Sequence, residues 1–167
     1  AKVAEAAESA LDGYLLKPHK ATHLGERIMQ ARARKLALQP IFTAIEALDF
    51  AAAADLCMER FKTRGPFWLY AARVGAELML RMGKSAEAQA LYKAVVEAKT
   101  LPWAKLGVAR AQLDAGQTTQ ATSTLENLIS TEPNYADAYD VMGRAHFEVG
   151  KFDKALETYK MAASLTP

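Results

Sequence analysis

The second half of the chain carries a pattern of glycines and prolines that recurs about every 34 residues, and this repeat restricts the possible folds more than any other feature. Gly150 is preceded at about this interval by Gly116 and then by Gly83, and Pro167 is preceded by Pro133. Glycine accepts the positive φ that ends a helix, and proline cannot continue a helix interior. The repeat therefore predicts units of two helices that bury their apolar faces by stacking.

Composition and spacing both favour helices over strands. Alanine and leucine are abundant whereas isoleucine and valine are sparse, so a large sheet is not expected. The apolar spacing predicts helices at 66–82, 85–98, 102–115, 118–130, 135–149 and 152–165, with Pro66 and Pro102 at first helical positions. The last two helices carry apolar stripes that we expect to be buried, formed by Tyr139, Met142, Gly143, His146 and Phe147 and by Phe152, Ala155, Leu156, Tyr159 and Ala163. The predicted fold is all-α, an α-solenoid of antiparallel helix pairs.

The earlier part of the chain shows the pattern less clearly. Residues 39–65 have helical apolar spacing, which indicates a weaker repeat unit in which Pro40 either kinks the first helix or begins a short one. Residues 1–38 differ in character and include a predicted helix from Thr22 to Leu38. We therefore divide the chain into a segment 1–38 and a repeat domain 39–167, with units at 39–65, 66–100, 101–133 and 134–167.

The last unit resembles the tetratricopeptide repeat. The residues that fall on the signature spacing of that family are Tyr139, Met142, Gly143, His146, Gly150, Ala155, Tyr159, Ala162 and Pro167. The unit at 101–133 departs from the family pattern, with Ala109 at the small glycine position and Lys105 at the usual tryptophan position. The resemblance implies a right-handed superhelix whose concave face binds other proteins, and it does not imply an enzyme.

In such a superhelix the first helix of each pair lines the concave face, and the residues not used for packing point into it. These residues carry both charge signs and aromatic rings, which suits an amphipathic peptide or helix as the partner. The partner-binding candidates are Tyr70, Arg73, Glu77, Arg81, Trp103, Leu106, Arg110, Asp114, Asp137, Asp140, Arg144, Phe147 and Glu148. For Tyr70 and Trp103, packing between repeats is an equally acceptable interpretation.

Segment 12–18, Asp-Gly-Tyr-Leu-Leu-Lys-Pro, is similar to the end of the receiver domain of bacterial two-component response regulators. The resemblance implies that Lys17 corresponds to the lysine that contacts the phosphoryl group in this phosphorelay family. The acidic residues of a receiver would precede Ala1, so we expect residues 1–20 to be the remnant of a truncated receiver in which Lys17 is inactive. The repeat stack would then be the output domain of a response regulator.

Two other functions remain open. The repeat domain could be a structural module that forms a homo-oligomer, since the last helix is expected to expose Met161 and Leu165. A more distant alternative is nucleic-acid binding through the basic helix at 27–35. The net charge of only +2 and the lack of a DNA-binding motif argue against that alternative.

Motifs for catalysis and for metal binding are missing from the sequence. His19 and His23 have helical i, i+4 spacing, but two imidazoles without a third ligand make an incomplete metal site. We expect no cofactor, we interpret His146 as a packed core residue, and we interpret the single Cys57 in the same way. With no disulfide framework and no apolar run of the roughly 20 residues that span a bilayer, the expected location is the cytoplasm.

Overall fold

The computed structural model describes residues 21–167, with side chains from residue 23 onward. Within this range the chain forms nine α-helices and no strand. The helices are α1 (Ala21–Ala37), α2 (Gln39–Glu46), α3 (Phe50–Thr63), α4 (Trp68–Arg81), α5 (Ser85–Ala98), α6 (Pro102–Asp114), α7 (Thr118–Thr131), α8 (Ala136–Glu148) and α9 (Phe152–Leu165). The predicted all-helical fold class is confirmed. The predicted receiver remnant at 1–20, with Lys17 and His19, lies outside the described residues.

Glycines and prolines set several helix boundaries, as the repeat predicts. Gly83, Gly116 and Gly150 adopt positive φ values of 75°, 77° and 80° in the turns between helices. Pro102 begins α6, where its missing N–H has no intrahelical partner to lose. Pro40 lies in the first turn of α2, so it begins a short helix and does not kink a longer one.

The expected helix start at Pro66 is wrong, because α4 begins two residues later at Trp68. Arg64 and Phe67 both adopt left-handed backbone conformations, with φ values of 53° and 60°, and Pro66 therefore lies inside a turn. The turn is held by an aromatic cluster in which the rings of Phe61 and Trp68 are 5.8 Å apart. The Arg64 guanidinium lies 4.4 Å and 4.3 Å from the centres of these two rings.

The described helices belong to two compact units that divide between Met82 and Gly83. In the first unit α1 contacts α2, α2 packs on α3, and α3 packs on α4. Its core contains Leu38, Ile41, Ile45, Cys57, Phe61, Val74 and Leu78. Arg60 ties the end of α1 to this core, since its guanidinium donates a 2.9 Å hydrogen bond to the carbonyl oxygen of Ala37. The domain boundary near residue 38 stays a prediction.

In the second unit each of the helices α5 to α9 packs on the next, and α6 also contacts α8. The largest core cluster consists of Leu106, Ala109, Leu125, Leu128, Ala138 and Met142. At Gly107 the approach between α5 and α6 is so close that a Cβ atom there would lie 2.2 Å from the ring of Tyr92. Tyr92 is itself only 2% exposed, so its ring has no free space to move into.

The apolar stripes of α8 and α9 are only partly buried, which corrects the sequence-based expectation. Ala155 and Ala162 are buried where α9 packs on α8. Phe147, Phe152 and Leu156 are 57%, 59% and 55% exposed. Small side chains make the helix contact, and the large side chains beside it remain more than half exposed.

Candidate partner-binding surface

One side of α8 presents charged and aromatic side chains to solvent. Asp137, Asp140, Arg144, Phe147 and Glu148 follow helical spacing along one face, and all five are exposed. The opposite side of the helix buries Ala138, Met142, Gly143 and Ala145, and this burial fixes which face points outward.

An ion-pair network joins this face to the end of α6. The Nη2 atom of Arg144 lies 2.7 Å from Oδ1 of Asp114, and its Nε atom lies 2.9 Å from Oε1 of Glu148. The hydrogen bond to Asp114 is the main cause that raises the pKa of Arg144, so the guanidinium stays charged. Because the pair is well exposed, its contribution to stability is below about 1 kcal/mol. We call the exposed set Asp114, Asp137, Asp140, Arg144, Phe147 and Glu148 the α6/α8 face.

Two of the partner-binding candidates on α6 are packing residues instead. Leu106 is 8% exposed and belongs to the core cluster with Leu125 and Met142, which corrects the expectation that it points into a groove. Trp103 is half-buried, and its ring meets that of Tyr92 edge-on at 6.4 Å. Arg110 is half-buried and makes contacts of its own.

The four candidates on α4 belong to the first unit. Tyr70 is 8% exposed and lies under the guanidinium of Arg34, which is 4.4 Å from the ring centre. Tyr70 is therefore a packing residue, the second of the two interpretations that the sequence allows. Arg73 and Glu77 are half-buried with contacts of their own, and Arg81 is exposed.

The burial of Arg34 also changes the basic patch expected at 27–35. Arg34 is only 7% exposed, whereas Arg32 and Lys35 are exposed. Of the four basic residues of the patch, Arg27, Arg32, Arg34 and Lys35, Arg34 is therefore missing from the surface, which weakens the match to an electrostatic site for nucleic acid.

The two groups with the clearest pKa shifts among possible reactive residues are both poorly suited to catalysis. Burial raises the pKa of the Cys57 thiol to about 12, so the thiol stays protonated and is a poor nucleophile. Desolvation, helped by Lys154 and Lys151, lowers the pKa of His146, which is half-buried and not fully packed as expected. Within the described part of the chain no three His, Cys, Asp or Glu side chains cluster in a way that could hold a metal ion.

Comparison with known proteins supports the helical-repeat fold. Residues 112–167 match the family model of the tetratricopeptide repeat. This match identifies a tetratricopeptide repeat in residues 112–167. Several solved MamA structures share its fold: MamA MSR-1 has 16% identity and a TM-score of 0.60 over 98% of this chain and 92% of that one. A double mutant of MamA RS-1 gives 16% identity, a TM-score of 0.60, and coverage of 99% and 95%. MamA AMB-1 gives 17% identity, a TM-score of 0.58, and coverage of 99% and 97%.

No curated protein sequence matches the chain at a significant level. At 16–17% identity, the likeness to the MamA structures shows the fold alone. Among the described helices of the repeat domain, none combines the length and the apolar character that a membrane span requires.

The sequence pattern identified the exposed residues of α8 but not how they are connected. Asp114 and Arg144 are 30 residues apart, close to one repeat length, and this interval could have indicated that they occupy neighbouring positions on successive units. The exposure of Phe152 and Leu156 has no comparable signal, because their spacing is the same as that of a buried stripe.

Proposed function

We propose that this chain is a protein–protein interaction scaffold and that the α6/α8 face binds a basic amphipathic segment of its partner. The observation that carries the proposal is the ion pair between Arg144 and Asp114, which places the exposed residues of two helices on one continuous surface. This surface contains four carboxylates and one guanidinium, so a cationic partner complements it.

The charges of this surface are not equally available. Arg144 already pairs with Asp114 and Glu148, so a partner gains little by competing for these three groups. Asp137 and Asp140 stand apart from that network and are exposed. We infer that they pair with lysines or arginines of the partner.

Phe147 supplies the apolar part of the surface. It is 57% exposed, and its ring contacts that of Phe152 edge-on at 5.2 Å, which holds it in place. Exposed aromatic side chains next to charges are frequent centres of binding energy. A helix with basic residues on either side of an apolar one would fit Phe147 and the two aspartates together.

The test reverses the two free charges. Asp137→Lys combined with Asp140→Lys should abolish capture of partner proteins that the unaltered chain retains, as measured by quantitative mass spectrometry of affinity eluates. The matched control is Glu87→Lys combined with Glu126→Lys, which makes the same charge change at an exposed first-turn and an exposed mid-helix position of the same unit. The control variant should retain the partners. If both double variants lose every partner to the same extent, or if both keep every partner, the α6/α8 face is not the binding site.

A narrower hypothesis makes the scaffold the output domain of a response regulator in the cytoplasm. It rests on the similarity of residues 12–18 to a receiver end, and the family match lies elsewhere in the chain, at residues 112–167. The test is to determine whether a receiver sequence precedes Ala1 in the natural protein. An acidic pair and a later aspartate after a predicted strand would support the hypothesis, and their absence would contradict it.

A further inference from the structure

The last helix carries a row of apolar side chains that remain largely exposed in the described part of the chain. Phe152, Leu156, Tyr159 and Ala163 are separated by four, three and four residues, so they form one stripe along α9. Phe152 and Leu156 are 59% and 55% exposed, Tyr159 is 39% exposed, and Ala163 is exposed. Contiguous exposed apolar surface of this kind usually marks a site of association.

The stripe is distinct from the surface by which α9 packs within its own unit. Ala155 and Ala162, which are 2% and 3% exposed, face α8. Tyr159 lies between the two surfaces, because its ring covers Gly143 at a distance of 2.7 Å from a Cβ atom placed there. The stripe adjoins the α6/α8 face where Phe152 contacts Phe147, but the two free charges of that face, Asp137 and Asp140, lie on α8.

Charged residues on one flank of the stripe are arranged so that the stripe is complementary to itself. Asp153 and Lys160 are both exposed and lie seven residues apart, which places them on the same side of α9. If two copies of α9 pack antiparallel about a twofold axis that passes between Leu156 and Glu157, each Asp153 comes opposite the partner's Lys160. The two ion pairs form in the same symmetric contact, as an isologous interface requires.

The sizes of the side chains match in the same register. Phe152 then comes opposite the interval between the partner's Tyr159 and the partner's Ala163. Each Phe152 ring therefore packs beside the partner's Tyr159 and into the space left by the small Ala163, and the two Leu156 side chains meet near the axis. Large residues that face small ones interdigitate without a void.

We propose that the exposed stripe of α9 binds the same stripe of a second copy of this chain, with Asp153 paired to the partner's Lys160. The occupant is a second copy because both the charges and the sizes are self-complementary under one twofold axis. The contact involves one helix from each copy, so the interface is small, and a dissociation constant of roughly 10–100 µM is expected.

Sedimentation velocity of the 1–167 chain, from about 5 µM to about 500 µM, measures this equilibrium directly. The unaltered chain should shift from monomer to dimer across this range. Leu156→Glu should raise the dissociation constant at least about tenfold, because it places two carboxylates at the axis. A far-ultraviolet circular dichroism spectrum of each variant checks that the helices are retained.

Exchanging the charges of Asp153 and Lys160 tests the proposed register of the two α9 helices, even if Leu156→Glu disturbs folding. Asp153→Lys and Lys160→Asp should each raise the dissociation constant several-fold, because each puts like charges opposite one another. The double variant that carries both changes restores opposite charges and should dimerise within about threefold of the unaltered chain. Lys154→Asp, a charge change at an exposed position on the side of α9 opposite the stripe, should leave the equilibrium unchanged.

Three results would overturn the proposal. The first is a chain that remains monomeric at the highest concentration, and the second is a dimer that Leu156→Glu leaves intact. The third is a double variant that dimerises no better than the two single variants, which would mean that the copies associate in another register or through another surface.

Discussion

The close approach of α5 to α6 at Gly107 predicts that one added methyl group will destabilise the second unit. Gly107→Ala would place a Cβ atom 2.2 Å, 2.3 Å and 2.5 Å from three atoms of the Tyr92 ring. Ordinary contacts between carbon atoms lie at about 3.5–4.0 Å, so the two helices would have to separate by roughly 1 Å or more. Tyr92 cannot turn away, because it is only 2% exposed.

Two opposing effects decide the size of the change. Alanine has a higher helix propensity than glycine, and this stabilises a helix interior by about 1 kcal/mol. Overpacking of a well-filled core costs about 1–3 kcal/mol, and contacts this short belong at the upper end of that range. The free energy of unfolding of the second unit should therefore fall by about 1–2 kcal/mol.

Gly143→Ala is the matched control. It makes the same change in the equivalent helix of the last pair, and its Cβ atom would meet the ring of Tyr159 at 2.7–2.9 Å. Tyr159 is 39% exposed and can rotate outward. The gain in helix propensity then offsets most of the cost, and the free energy of unfolding should change by less than about 0.5 kcal/mol.

Urea unfolding followed by tryptophan fluorescence measures both variants. The chain has two tryptophans, and Trp68→Phe leaves Trp103, which contacts Tyr92, as the reporter of the second unit. Tyr92→Leu removes the ring, and in that background Gly107→Ala should become neutral or stabilising by up to about 1 kcal/mol. The reasoning fails if Gly107→Ala stabilises the unaltered chain, or if its effect is the same with and without the Tyr92 ring.

Two further predictions concern the first unit. Leu48 has a φ of 60° and is 72% exposed, so Leu48→Gly should remove left-handed strain and raise the free energy of unfolding of the first unit by about 0.5–1 kcal/mol. Leu48→Ala keeps the strain and should give no gain in stability in a urea titration. Equal stability changes in the two variants would refute the explanation. Burial raises the pKa of Cys57 to about 12, above the unfolded value of about 8.5. The stability that this thiol contributes is therefore complete below about pH 8 and declines as the pH rises towards 12. Urea midpoints between about pH 7 and pH 10 should fall more steeply for the unaltered chain than for Cys57→Ala, and parallel pH profiles would argue against this cause.

The helix positions could be predicted from the sequence because their signals are local. Glycine at Gly116 and Gly150 and proline at Pro102 act on their own backbone, whatever the rest of the chain does. The start of α4 was missed because Pro66 lies in a turn that depends on contacts of Arg64 with two aromatic rings, and helix-start rules do not describe such contacts.

The details of the candidate surface depended on packing, which periodicity does not specify. Leu106 satisfies the spacing of a groove residue, but the neighbouring helices α7 and α8 approach closely enough to bury it. Phe152 and Leu156 satisfy the spacing of a core stripe, but α9 packs through Ala155 and Ala162 instead. The sequence indicates which residues share a helix face, whereas the neighbouring helices determine whether that face is covered.

The two units also differ in how their turns achieve left-handed backbone geometry. Within the described chain, the first unit uses Leu48, Arg64 and Phe67 at positive φ, and the second unit uses only glycines. A bulky residue in this conformation stores steric energy in the folded state, whereas a glycine gives the unfolded chain extra conformational freedom that folding must remove. Because the free-energy cost of lost entropy grows with temperature, the glycine turns weaken the second unit progressively on heating. The steric strain in the turns of the first unit does not grow with temperature in this way. The difference between the turns alone therefore makes the relative stability of the two units depend on temperature.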